Sequence, residues 1–293
     1  MPKGEKAPKE RLDALLVARG LSPDAEQARR LIWSGSVLVD GDLVDQPATL
    51  VPETAEIRLR AARRRYVTRG GEKLDGALAR FGVDVAGRYA LDVGAAGGGF
   101  TDCLLSHGAA RVYAVEVGRG QLAQRLRLDP RVVDLGGTDI TALGPSDLDP
   151  PPTLAVVDVT FVSLSDVLPH VLRLLTGRRE VIALVKPLQE AAALGLGRPP
   201  DLQRTVLTRL LAQLESGGIP VCALAPSDPA GPGGALEFFV HIGEPGLARE
   251  ALTTAIDEAL AEGAALLTRR TKPGRSGQQR RRNWRTFRRR RGG

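Results

Sequence analysis

Leu12, Leu15 and Leu16 recur at the spacing of one helix face, and Gly20 closes that helix. Asp24 is a natural N-cap for a second helix, in which Ala28, Leu31 and Ile32 face inward and which Gly35 stops. Val37-Leu38-Val39 then reads as a short strand running into an Asp40-Gly41 turn, and Val44, Val51, Ile57 and Leu59 supply further short strands. Residues 10–60 are therefore expected to form a small unit of two helices followed by strands. Ala61 to Tyr66, with arginines at 63, 64 and 65, reads as a linker.

From Lys73 onward the period changes. Apolar runs predict strands at Tyr89–Val93, Arg111–Glu116, Leu154–Asp158, Val181–Val185, Val221–Leu224 and Leu236–Ile242. Helices fit between them at Thr101–His107, Leu164–Leu175 and Leu202–Leu214, and Ala-rich Leu247 to Leu267 predicts a last one. Strands alternating with helices indicate a parallel sheet covered on both faces.

Charge changes this picture at one end only. Of the 41 Lys and Arg residues, 12 lie in Arg269 to Gly293, which has no Asp or Glu; the remaining 29 face 34 acidic residues, a net charge of −5. Basicity is thus a local device, the pattern of a nucleic-acid-binding arm. No stretch is apolar enough to span a bilayer, and Met1 to Glu10 is polar and Lys-rich, unlike a secretory signal. Two cysteines, Cys103 and Cys222, make neither a disulfide framework nor a zinc site, and the three histidines lack metal-ligand spacing, so no metal and a cytoplasmic location are expected.

The candidate chemistry starts at Asp92-Val-Gly94-Ala-Ala-Gly97-Gly98-Gly99-Phe100, a Gly-rich loop following the domain's first strand and opening a helix. Glycines there let the backbone turn sharply and approach a ligand, and the helix N-terminus can receive a polar group. A Gly-rich loop alone fits NAD, FAD and S-adenosylmethionine alike. These glycines are not spaced as in dinucleotide binders, and Glu116, 19 residues beyond Gly97, ends the next strand where it can bind a ribose. S-adenosylmethionine is the best-fitting cofactor, with Asp139 expected near its adenine edge. Glu237, inside the apolar run Leu236-Glu-Phe-Phe-Val240, is costly to bury unless paired, and a lysine partner would explain it. Phe161, Phe238 and Phe239 read as core, and His107, His170 and His241 as structural.

Several motifs together carry a resemblance. They include Arg11-Leu-Asp13, Val39-Asp40-Gly41, Arg69-Gly-Gly-Glu-Lys73-Leu74, Gly97-Gly-Gly-Phe-Thr101, Gly118-Arg-Gly-Gln-Leu122, Asp158-Val-Thr-Phe-Val-Ser-Leu164, Leu184-Val-Lys-Pro187 and Gly234-Ala-Leu-Glu237. In that order they resemble the TlyA family, which pairs an S4-type RNA-binding domain with an FtsJ-like methyltransferase domain and is often labelled hemolysin. The resemblance implies a catalytic tetrad of Lys73, Asp158, Lys186 and Glu237. It also implies methylation of a ribose 2′-hydroxyl, on a cytidine of ribosomal RNA within a ribosomal subunit. Lys186, depressed toward neutrality by neighbouring cations and burial, would accept or share the hydroxyl proton, and Asp158 would orient it. The expected RNA contacts are Arg11, Arg29, Arg30, Arg63, Arg64, Arg65 and Arg69.

The chain departs from the family pattern at Ala95-Ala96, Leu188-Gln189, Ala191 to Pro200, Ala235 and Asp24-Ala25, and in its arginine tail. The fold expected is α/β: a polar tail (1–9), an α+β S4-like domain (10–60) and a basic linker (61–69). A Rossmann-like class I methyltransferase with a mainly parallel seven-stranded sheet (70–247), a C-terminal helix (248–268) and a disordered tail (269–293) follow. The competing readings are a non-catalytic RNA-binding or ribosome-assembly factor, and a pore-forming hemolysin, which would need a membrane-inserting segment that the sequence lacks.

Overall fold

A computed structural model describes residues 8–271 apart from 34, 45, 60–64 and 232–233, and leaves undescribed the side chains of 30, 33, 43 and 269–271. The expected contacts Arg30, Arg63 and Arg64 and the tail beyond 271 fall outside that description.

The N-terminal unit comprises β1 (Lys9–Arg11), α1 (Leu12–Ala18), α2 (Ala25–Trp33), β2 (Val37–Val39), β3 (Asp42–Leu43), β4 (Leu50–Pro52) and β5 (Ile57–Leu59). Leu12, Leu15 and Leu16 of α1 pack with Ala28 and Ile32 of α2 over Val37, Val39 and Val51. Asp24 starts α2 as expected, its Oδ1 accepting Gln27 N–H at 2.7 Å. Strand β1 has no counterpart among the sequence expectations. Lys-Glu-Arg is wholly exposed and charged, and only its antiparallel pairing with β4, Glu10 opposite Val51, makes it a strand.

The second unit runs α3 (Arg69–Phe81), β6 (Tyr89–Val93), α4 (Gly99–Ser106), β7 (Arg111–Glu116), α5 (Gln124–Arg127) and β8 (Val132–Gly136). It continues through β9 (Leu154–Val157), α6 (Leu164–Leu174), β10 (Glu180–Val185), α7 (Pro187–Ala193), α8 (Leu202–Ser216), β11 (Val221–Pro226), β12 (Phe238–Ile242) and α9 (Arg249–Thr271). The seven strands lie in the order β11-β12-β10-β9-β6-β7-β8, and β12 alone runs against the other six. Alternation decides the two faces. Val181, Ala183 and Val185 of β10 join Leu168, Val171, Leu207 and Leu210 on one side. Ile182 and Leu184 join Leu74, Leu78 and Leu104 on the other.

Two features of the sheet differ from expectation. Strand β8, Val-Val-Asp-Leu-Gly, is an addition: an edge strand is half-covered and lacks the unbroken apolar run of a central one. Strand β12 begins at Phe238, so Leu236 and Glu237 lead into it. The edge where β10 begins is pinned by Glu180, which accepts from Arg88 at 2.5 Å and meets His241 at 2.9 Å.

Candidate active site

Register brings the tetrad to one edge. Val157 of β9 pairs with Val93 of β6 and Ala183 of β10, and Val185 of β10 pairs with Phe238 of β12. Gly94, Asp158 and Lys186 each follow the last residue of a parallel strand, and Glu237 precedes the first residue of the antiparallel one. Asp158 N–H extends the ladder by donating to Val93 O at 2.9 Å. This is the carboxyl edge of the sheet, where doubly wound folds place their ligands.

The four side chains form two ion pairs. Lys73, in the second turn of α3, donates from Nζ to Glu237 Oε2 at 2.5 Å, with side chains 11% and 6% exposed. This is the lysine partner that the buried glutamate required. Lys186 Nζ meets Asp158 Oδ1 as a close ion pair and also reaches Thr160 Oγ1 at 3.2 Å and Val159 O at 3.4 Å. The structure sets Asp158, the residue expected to orient Lys186, against it, because β9 and β10 are adjacent and parallel.

The Gly-rich loop lies beside these pairs, and its glycines answer first to the protein. A Cβ on Gly94, at φ +84°, would sit 2.3 Å from Asp158 O, and one on Gly98, at φ +89°, 2.3 Å from Leu126 Cδ1. Gly97 and Gly99 turn toward Thr68, the N-cap of α3. Glu116 joins the loop to the turn after β7: its two oxygens accept Ala96 N–H at 3.0 Å and Gly118 N–H at 2.9 Å. A crevice lined by Ala95, Ala96, Glu116, Gly118, Gln121 and Gly136 opens there. Asp139 is exposed, accepts from Thr141, and follows Thr138, whose N–H donates to Glu116 O at 3.0 Å.

Two residues expected at the cofactor, Phe100 and Asp92, are buried. Phe100 is buried, its ring 6.1 Å from that of Phe239, because α4 starts at Gly99 and turns it inward. Asp92 is wholly buried, accepting the Thr101 hydroxyl at 2.6 Å, while its other oxygen has no partner among the described residues. Burial pushes the Asp92 carboxyl up to about 7, with Asp158 and Glu116 adding to the rise. A raised folded value means stability fully present below the ordinary carboxylate range and lost as pH rises through 7. Asp92→Asn should therefore flatten a decline in stability between pH 4 and 8 worth up to about 4 kcal/mol. Urea unfolding at several pH values measures it, and an unchanged slope refutes it.

The opposite correction applies to Phe161. It is 93% exposed with φ +74°, at the apex of the loop between Asp158 and α6. Phe238 and Phe239 are core, as expected. Of the expected RNA contacts, Arg11 pairs with Asp13, Arg65 pairs with Asp75 and lies over the Tyr66 ring, and Arg69 donates to Ala230 O at 3.3 Å. Arg29 is half-buried. Asp75, Cys103 and His107 bring ligand-type atoms within 4.8 Å of one another, a group hidden from a search by metal spacing. Arg65 and His107 occupy both Asp75 oxygens, and burial pushes the Cys103 thiol up to about 12, so the group is engaged internally. Sequence reasoning misses Glu190, a buried carboxylate one helical turn after Lys186 that binds Ser163 and Leu164 N–H. The argument that singles out Glu237, a charge among apolar residues, is the signal that could find it.

Comparison with known proteins gives the family. Residues 66–243 match the FtsJ-like methyltransferase family and residues 10–57 the S4 domain. The chain is 37% identical over 262 residues to the 16S/23S rRNA (cytidine-2′-O)-methyltransferase TlyA of Mycobacterium tuberculosis, covering 86% of this chain and 98% of that protein. It is 32% identical to Hemolysin A of Brachyspira hyodysenteriae, covering 79% and 98%. A Streptococcus thermophilus structure that also carries the name hemolysin superposes with a TM-score of 0.68 at 35% identity, covering 90% of this chain and 98% of that one. Among the described residues, no helix is long and apolar enough to cross a membrane. With both domain matches, the tetrad pairs and relatives aligned over most of its length, the chain belongs to the FtsJ-like methyltransferases of the TlyA family.

Proposed function

We propose that this protein methylates a ribose 2′-hydroxyl of ribosomal RNA, at a cytidine, using S-adenosylmethionine. The observation that carries the reading is the convergence of the Lys186–Asp158 and Lys73–Glu237 pairs with the Gly-rich loop and Glu116 on one sheet edge. The donor set suits the cofactor. Glu116 offers two carboxylate oxygens for a ribose, and Asp158, packed against Gly94, offers an anion beside a sulfonium. When bound, S-adenosylmethionine supplies an electrophilic methyl carbon. Lys186 Nζ is placed to take up the 2′-hydroxyl proton as transfer proceeds, and Asp158 is placed to hold the resulting charge. Thr160 and Val159 O fix the direction of Nζ. The buried Lys73–Glu237 pair supports the floor on which the ribose is positioned, and positioning supplies much of the acceleration. Phe161 offers an exposed ring for a nucleobase at the mouth of the site.

Mapping 2′-O-methyl positions in ribosomal RNA with and without the protein tests the reading. A new methylated cytidine is expected. RNA binding without any transfer would point instead to an assembly factor.

Glu116→Ala should weaken S-adenosylmethionine binding by on the order of 1.5–3 kcal/mol for each hydrogen bond to a charged group that is removed. Calorimetry measures it, and wild-type affinity would remove Glu116 from the ribose site. The variant also loses the bonds to Ala96 and Gly118 N–H, so circular dichroism should accompany it.

Deleting residues 269–293 should weaken RNA binding broadly and leave the methylated position unchanged, because binding to phosphates gives affinity without reading sequence. The deletion removes 12 cations from a chain otherwise net negative. The dependence of affinity on salt should then flatten by about 0.7–0.9 for each phosphate that the tail had neutralised. An unchanged salt slope would show that the tail does not engage RNA.

A further inference from the structure

The loop between β9 and α6 is held at both ends by the segment that follows β10. At the front, Lys186 meets Asp158, Val159 O and Thr160 Oγ1. One helical turn later, with Glu190 N–H donating to Lys186 O at 2.9 Å, the buried Glu190 carboxylate takes the back of the loop. It accepts the Ser163 hydroxyl and, at 3.1 Å, Leu164 N–H, while Ser163 Oγ lies 2.8 Å from Ser165 Oγ. Between the two anchors stand Phe161 and Val162, both exposed.

Two costs are met in this arrangement. A phenylalanine at φ +74° is strained, and such a backbone persists only where its surroundings fix it. A buried carboxylate is costly unless hydrogen-bonded. Burial raises the Glu190 carboxyl above its usual range, and the Ser163 and Leu164 donors oppose that rise. The hydrogen bonds of the Glu190 side chain go to the loop and not to the tetrad. We propose that Glu190, through Ser163 and Leu164 N–H, is a positioning residue that clamps residues 158–163 so that Phe161 is presented outward to the RNA. This inference rests on the reading of RNA as substrate.

The test uses the full-length protein with Glu190→Ala, Glu190→Gln and Ser163→Ala. Amide hydrogen exchange over residues 159–164 reads the clamp. KM and kcat with purified ribosomal subunits, and calorimetric affinity for S-adenosylmethionine, read its role. Glu190→Ala should speed exchange in the loop and raise KM for the subunits about 10-fold or more, since a small misplacement can cost up to about 10²-fold. Cofactor affinity should hold. Glu190→Gln keeps an acceptor oxygen and should restore most of the loss, which a general loss of packing would not predict. An unchanged exchange rate, an unchanged KM for the subunits, or equal damage from Gln and Ala overturns the proposal. If Glu190→Ala does not fold, Ser163→Ala, which leaves the Leu164 bond, must still raise KM, and no rise overturns it. If the wild-type protein methylates no RNA, the functional reading and the clamp's role in RNA presentation both fail. The exchange data then still decide whether the clamp holds the loop.

Discussion

Lys186→Ala should lose roughly 10²–10⁴ in the rate of methyl transfer while S-adenosylmethionine affinity and folding stay near wild type. Lys186 is the residue on which the site converges, touching Asp158, Thr160 and the Val159 carbonyl. It is only partly buried, as is Asp158, so water can solvate the carboxylate left behind and the fold should survive. The substitution that separates roles is Lys186→Arg. Arginine keeps the positive charge beside Asp158 but does not accept a proton at neutral pH. Single-turnover transfer from labelled cofactor into ribosomal subunits measures both variants. Turnover by the arginine variant at the wild-type rate would show that Lys186 acts by charge and position alone, and wild-type turnover by the alanine variant would end the mechanism.

The largest loss of stability belongs to the other pair. Lys73→Met leaves the Glu237 carboxylate buried without its cation and should cost about 3–5 kcal/mol. The reverse change, Glu237→Leu, strands the ammonium and should cost a comparable amount. Because desolvating two charges offsets most of their attraction, the double variant Lys73→Met/Glu237→Leu should recover much of the missing stability and none of the activity. Urea unfolding followed by circular dichroism gives the cycle. Additive losses in the double variant would mean that the pair is not coupled, and retained activity would remove it from the catalytic machinery.

This pair also shows what a sequence can disclose. Glu237 stands in an apolar run where a charge needs a partner, and Lys73 is that partner across 164 positions. Central strands are legible for a related reason, being unbroken apolar runs such as Val181–Val185. Legibility fails where one-dimensional polarity stops tracking depth. Phe161 reads as core by composition, yet a strained loop exposes it; Phe100 reads as a loop residue, yet the early start of α4 turns it inward, and Asp92, at the end of the expected first strand, is buried because β6 is covered on both faces. Strand β8 covers only one flank of the sheet, and β1 is a strand only by virtue of its partner. Asp158 beside Lys186 is implied by the family resemblance, while the strand order that brings the two together is not contained in periodicity. Glu190 escapes notice because its ligands, Ser163 and a backbone amide, carry no charge to signal them.

The antiparallel placement of β12 bears on when the enzyme can work during its own synthesis. Chains emerge N-terminus first at about 5–20 residues per second. β11 is made before β12 but pairs only with it, and β12 also pairs with β10, so until residues 237–242 emerge the sheet ends at β10 and β11 has no neighbour. A nascent chain at that stage already carries Lys73, Asp158 and Lys186, but Lys73 lacks the glutamate that neutralises it. The last strand to be translated is thus the wedge that both closes the sheet and completes the tetrad. Until residue 237 of 293 is made, the sheet edge therefore lacks one of its two ion pairs.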